Sequence, residues 1–246
     1  MLVSGAVWLL LSHVAAHSLA QRNFSSMLEQ QANRTMELSE WEQRWQQHRT
    51  GFHQLEVHKR ESPGSDGRPL CLTRLRLADL GHSVVGVEIS EMAIRQFFQE
   101  NNLTYNEESV PSIPGAKLFQ NTEKSISLYQ CDLFSFSSSV AGQFGAIWDR
   151  GSLVAINPKD RDRYAALILS LMAADCRYLL DTFLYNPDLY EGPPFFVPDE
   201  QVLGLFGSSC TVELLQSEEA LNDKWRNWGL DSMIENVHLI TLKAPK

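Results

Sequence analysis

Cysteine is scarce in this sequence: four among 246 residues, Cys71, Cys131, Cys176 and Cys210, with no C-x-x-C spacing. That excludes a zinc knuckle or a redox dithiol, and isolated thiols suit a reducing compartment. Basic residues are outnumbered, 21 against 30 acidic, for a formal charge of −9. The nearest approach to a basic cluster is Lys59-Arg60, so no nucleic-acid partner is expected. No apolar run can hold a stable membrane span. Leu2 to Ala20 is broken by Ser12 and His13 and falls short of the roughly 20 apolar residues a helix needs to cross. A glycine-rich G-x-G turn is missing ahead of the first clear strand, and so is any Ser/His/Asp constellation. His53 and His82 have no evident acid partner and read as structural.

What remains is an ordinary globular balance, 43% apolar and 21% charged, at a length fit for one large domain or two small ones. Residues 1–38 read as a variable leader and 39–246 as the folded domain. The leader has an apolar centre, Val7-Trp8-Leu9-Leu10-Leu11, and then Ser18-Leu19-Ala20, the small–x–small form of a secretory cleavage site. Against secretion, no Lys or Arg precedes the apolar centre. The N-x-[ST] triplets at Asn23, Asn33 and Asn102 are short enough to recur by chance. A cytoplasmic location is the expectation, with the secretory pathway through residues 1–20 as the alternative.

From Ser39 the pattern tightens. Ser39 is suited to cap a helix that places Trp41 and Trp45 on one face. Residues 56–69 have loop composition, and Leu70 to Leu80 predicts a short helix stopped by Gly81. Strands and helices then alternate. Ser83 to Val87 is a strand ending at Glu88, and Ser90 caps a helix carrying Ile94, Phe97 and Phe98. Lys117–Phe119 and Ile126–Tyr129 form a hairpin that ends at Cys131-Asp132. Phe144 to Trp148 is a strand ending in Asp149-Arg150-Gly151. A helix opening near Pro158, a strand over Arg177–Phe183, a helix capped by Asp199 and two last strands, Thr211–Leu215 and Val237–Leu242, complete the chain. This alternation predicts a three-layer α/β domain with a mostly parallel sheet.

Ligands of such sheets bind beyond the carboxyl ends of the strands, where Glu88, Asp132 and Asp149 fall. Each acid alone would pass as a helix cap or a solvated loop residue. Three at successive strand ends favour a nucleoside-type pocket, since an acid after the second strand accepts hydrogen bonds from ribose hydroxyls.

Several separate motifs, in order, resemble the thiopurine S-methyltransferase family. They are Trp41-x3-Trp45 with Gly51-Phe52-His53-Gln54, Gly81-His82-Ser83-Val84-Val85-Gly86-Val87-Glu88-Ile89-Ser90, and Ile147-Trp148-Asp149-Arg150-Gly151. Ala155-Ile156-Asn157-Pro158 with Arg161 and Tyr164, Gly192-Pro193-Pro194-Phe195-Phe196-Val197-Pro198 and Trp228-Gly229 also fit. The resemblance covers about residues 39–243. It implies a Rossmann-like class I methyltransferase sheet, S-adenosylmethionine as cofactor, and an aromatic or heterocyclic thiol such as a thiopurine as acceptor, in a monomer. It implies cofactor-binding roles for Trp41, Trp45, Phe52, Leu70, Glu88, Asp132, Leu133 and Arg150. Arg150 is implied at the catalytic junction of cofactor and acceptor, and Phe52, Lys224 and Trp225 at the acceptor. No metal is implied. The physics is consistent with that chemistry. The cofactor brings a reactive methyl group, so alignment is the protein's main task. Aromatic walls attract a cation and stack on a flat heterocycle. Without the resemblance, Trp41 and Trp45 would read as a core-facing helix stripe.

The chain departs from the family between Phe52 and Glu88, which lie about fourteen positions closer than the family pattern has them. Pro69-Leu70-Cys71 is kept, but Leu72 stands where glycine should follow. A parallel sheet without its first strand leaves interior backbone groups unpaired. The first-strand region therefore reads as truncated. The second reading is a catalytically impaired relative with weak cofactor binding, and the third a secreted binding protein.

Overall fold

The computed structural model describes residues 5–10, 35–47, 77–78 and 81–244. They divide between two compact units, one holding 5–10, 37–47, 77–78 and 81–144, the other 35–36 and 145–244.

The first unit contains β1 (Gly5–Leu10), α1 (Leu38–Gln46), β2 (Ser83–Glu88), α2 (Glu91–Glu100), β3 (Tyr105–Ser109), β4 (Lys117–Asn121), β5 (Ile126–Gln130) and α3 (Ser138–Ala141). Its strands lie in the order β3-β4-β5-β2-β1. β1 and β5 run parallel to β2, while β4 is antiparallel to both β3 and β5. Gly81 stops the preceding helical turn as expected. At φ +84° it donates to Ala78 O, and His82 N reaches Leu77 O, the two bonds of a Schellman stop. Ser90 caps α2 by accepting from Ala93 N at 3.3 Å, and α2 buries Ile94, Phe97 and Phe98. Phe98, Tyr105 and Phe119 stack in sequence, with centroids 4.6 and 5.6 Å apart.

Two features differ from the sequence reading. α1 starts at Leu38, not after a Ser39 cap. Glu37 occupies the cap position, its N–H donating to the Glu40 carboxylate at 3.0 Å, which is half of a capping box. β3 was not expected, because Tyr-Asn-Glu-Glu-Ser has no strand composition. As an edge strand it needs only backbone pairing to β4 on one side. Arg95 also ties it to α2, through Tyr105 Oη and Glu107 at 2.7 and 2.6 Å.

β1 pairs with β2 from Gly5 opposite Ser83 to Leu9 opposite Val87. It lies inside the segment read as a leader.

The second unit contains β6 (Phe144–Arg150) from Gly145 on, α4 (Arg161–Leu171), β7 (Met172–Leu184), α5 (Asp199–Phe206), β8 (Cys210–Glu219), α6 (Asp223–Asn227) and β9 (Ile234–Leu242), with strand order β6-β7-β9-β8. β9 is antiparallel to β7 and to β8, so pairing is mixed rather than mostly parallel. β8 and β9 are longer than predicted, because polar Gln216 to Glu219 and Glu235-Asn236 join the ladder. Asp199 is the first residue of α5, not its cap. Its carboxylate accepts from Asn236 Nδ2 at 2.9 Å and meets His238 Nε2 at 3.1 Å. Among the described residues no helix is long and apolar enough to cross a membrane.

Candidate active site

In the first unit, two acids come together at neighbouring strand ends. β2 and β5 are adjacent and parallel, with Glu88 opposite Gln130, so Asp132 lies two residues beyond the partner of Glu88. The Glu88 carboxylate accepts from Ser90 N at 2.8 Å, and its carbonyl accepts from Cys131 N at 3.1 Å. Gln130 Nε2 donates to Ile89 O at 3.0 Å, joining the two exits. Asp132 accepts from Phe134 N at 2.9 Å and caps the short turn Leu133–Ser135. Glu88, Asp132 and Leu133 are half-buried, as groups reaching an accessible ligand must be. The neighbouring Cys131 is an inert thiol. Burial, followed by the Asp132 charge, pushes it up to about 11.

α1 packs against α2. Trp41 on α1 is half-buried, and the Arg44 guanidinium lies 5.1 Å from its ring centre. Trp45 belongs to the same helix, but its side chain lies outside the described residues, as do Phe52 and Leu70.

In the second unit, Asp149 and Arg150 end β6 and have opposite fates. Asp149 is fully buried. It accepts from Tyr164 Oη, from Tyr178 Oη at 2.8 Å, and from Ser152 N and Leu153 N at 2.9 and 3.2 Å. Burial pushes its carboxyl up, and the two tyrosines and two amides pull it back. The sequence reading set Asp149 facing a nucleoside. With its oxygens taken by four protein donors, it instead holds the loop after β6. Arg150 is 8% exposed, and its Nε lies 3.3 Å from Asp181 Oδ2 on β7.

Beyond β7 lies an aromatic cluster. Trp225 is buried and meets Trp228 edge-on at 4.7 Å, and Tyr190 packs on Trp228 at 5.2 Å. Lys224 Nζ sits 5.0 Å from the ring centres of both tryptophans, and burial lowers its ammonium below the usual lysine range. Of the three predicted acceptor residues, Phe52 lies outside the described residues, Lys224 is half-buried and Trp225 only 1% exposed. The exposed ring is Trp228, at 40%.

The segment 192–198 is pinned beside this cluster. Tyr190 Oη donates to Pro193 O and Tyr185 Oη to Pro194 O, at 2.6 and 2.7 Å, while Phe195 N reaches Val154 O at 2.6 Å. Gly192 has φ +86°, and a Cβ there would come within 2.5 Å of the Phe195 ring, so no other residue fits. Sequence reasoning missed Asp181, Tyr185 and Tyr190 as site neighbours. Asp181 lies on a strand whose apolar pattern reads as core, and Tyr185 and Tyr190 flank a polar loop that carries no motif.

The thiopurine S-methyltransferase profile matches residues 36–243. The chain belongs to the thiopurine S-methyltransferase family. A probable thiopurine S-methyltransferase of Danio rerio is 56% identical over 228 residues, covering 87% of this chain and 98% of its own. The thiopurine S-methyltransferase of Bos taurus is 44% identical over 229 residues, covering 87% and 94%, and that of Oryctolagus cuniculus is 43% identical with the same coverage. The family match begins after β1, which thus lies outside the matched residues.

Proposed function

We propose that this chain transfers a methyl group from S-adenosylmethionine to the sulfur of an aromatic or heterocyclic thiol of the thiopurine class. The observation carrying this reading is the relationship itself: 56% identity to a relative of which 98% is covered. S-adenosylmethionine supplies the transferable methyl when bound. Glu88 and Asp132 fit its nucleoside end. They are carboxylates oriented by backbone amides at adjacent strand ends, and carboxylates accept from ribose hydroxyls. The reading keeps Trp41, Trp45, Phe52, Leu70 and Leu133 as further cofactor contacts. It keeps Phe52, Lys224 and Trp225 as acceptor contacts and adds the exposed Trp228. Arg150 takes the catalytic place, a cation facing the acceptor sulfur. The thiol releases its proton to water, and Arg150 favours the thiolate that remains. Flat aromatic rings orient the heterocycle by stacking. We further propose a monomer in a reducing, cytoplasmic compartment, supported by Cys131, Cys176 and Cys210, all free thiols.

The impaired reading is favoured by one observation. Of the 228 positions aligned with the Danio rerio relative, this chain supplies 87% of 246 residues, about 214, leaving about 14 without a counterpart. That agrees with the shortened run between Phe52 and Glu88. β1 offsets part of the loss. The order β5-β2-β1 is the third-second-first order of a doubly wound half, and we propose that β1 stands in for the first strand. The glycine turn is not replaced, since Leu10-Leu11-Ser12-His13 follows, so cofactor affinity is expected to be lower than in full-length relatives.

Calorimetric titration of the full chain with S-adenosylmethionine tests both readings. Binding in the micromolar to millimolar range is expected, reduced at least tenfold in Glu88→Ala, as for a lost charged hydrogen-bond acceptor. Absence of binding at millimolar cofactor would leave only the impaired reading. Equal affinity in wild type and variant would remove Glu88 from the site.

A further inference from the structure

Arg150 does not stand alone at the end of β6. Its Nε lies 3.3 Å from Asp181 Oδ2, and both side chains are nearly buried, at 9% and 7% exposure. An ion pair withdrawn from water this far costs desolvation on both partners. An aliphatic residue at 181 would suit a buried strand position better, unless the charge has a task. Asp149, the adjacent acid on β6, is engaged by Tyr164, Tyr178 and two amides. Glu235 on β9 is the other buried acid near by. It lies opposite Phe183, on the face that Asp181 shares, since Phe183 is two residues along β7. Arg150 thus has a β7 carboxylate at its Nε.

Two physical effects follow from the pair. A carboxylate at Nε fixes the guanidinium plane, and the plane decides where the two Nη groups point. The same carboxylate cancels part of the positive potential that Arg150 would offer an acceptor. We propose that Asp181 is a positioning and specificity residue acting through Arg150. It orients the guanidinium and tempers its charge, so that only thiols already acidic in water are held as thiolates. The step concerned is acceptor ionisation. The S–H bond breaks, the proton goes to bulk water, and the electron pair stays on sulfur facing Arg150. A heteroaromatic thiol ionises there at neutral pH, whereas an aliphatic thiol, with its proton held to about pH 8.5, does not. The inference rests on the proposed role of Arg150.

The test needs no turnover. A heteroaromatic thiol with a distinct thiolate absorption is bound to the full-length protein without cofactor and titrated from pH 4 to 9. In Asp181→Asn, which keeps shape and loses charge, the apparent pKa of the bound thiol is expected to fall by about one unit. That is the order for removing one charge within about 10 Å at an effective permittivity near 20. The acid limb of kcat/KM should move with it, and aliphatic thiols should become detectable acceptors. Asp181→Ser is read in the same titration and covers a failure of the asparagine variant to fold. An unchanged or raised bound-thiol pKa in the folded variants, alongside a raised one in Arg150→Gln, would overturn the role of Asp181 alone. An Arg150→Gln value equal to wild type, or a thiol that does not bind wild type, would overturn the placement of Arg150 and this inference with it.

Discussion

Asp149 and Arg150 are neighbours on one strand end, yet one serves the fold and the other the proposed chemistry. Asp149 collects two tyrosine hydroxyls and two amides in a dry interior. Asp149→Ala would strand all four donors, each costing about 1–3 kcal/mol when buried unpaired. A loss of about 3–5 kcal/mol in urea unfolding is expected. A loss under about 1 kcal/mol would mean that the tyrosines find other acceptors. Nothing in the sequence marks this network, because Tyr164 and Tyr178 sit on a helix and a strand far along the chain. The same blindness applies to Asp181, whose partner is visible only once β6 and β7 are neighbours. Glu88 was legible for the opposite reason. Its position, and with it the proposed role, follows from a local rule, an acid after a strand and before a capped helix.

Among the elements, α2 was readable because its apolar spacing, its Ser90 cap and its burial all point the same way. β3 was not, because an edge strand of polar residues is specified by its partner. α5 shows how a cap prediction fails. Asp199 has the right residue type at the right place, but tertiary partners on β9 claim its carboxylate. The hydrogen bond with His238, then that from Asn236, lowers its carboxyl below the usual range against the opposing effect of burial. A depressed acid stabilises the fold above its unfolded value, near 3.9, and loses that contribution as pH falls through the folded value. Wild type should therefore lose more stability than Asp199→Asn between pH 5 and 3, followed by urea midpoints at each pH. Parallel curves would show that the α5–β9 contact does not depend on the charge.

At the scale of the whole molecule, the α/β class and most helix positions were legible from alternation, while the mixed pairing was not. Strand direction depends on connections, and the β8–β9 arm is built from residues too polar to announce a ladder. The origin of the strand beside β2 was also hidden, because an apolar N-terminal run has the composition of a secretory signal and of a buried strand alike. Deleting residues 2–12 separates these roles. With β1 integral to the sheet, the truncated protein should lose about 2–5 kcal/mol of stability, from lost ladder bonds at about 0.5–1.5 kcal/mol each, and its cofactor binding. An unchanged urea midpoint and affinity would make β1 dispensable.

The pairing of Gly5 with Ser83 also sets an order of events during synthesis. β1 is made before β2, and its partner strand emerges only after α1 and the rest of the intervening chain have been made. For that interval Ala6 to Leu10 is an apolar stretch without a neighbour, and long-range parallel pairing forms slowly even once both strands are present. These residues thus wait longer for a partner than those of β4, whose partner β5 follows directly, and folding yield in the cell should depend on what shields them while they wait.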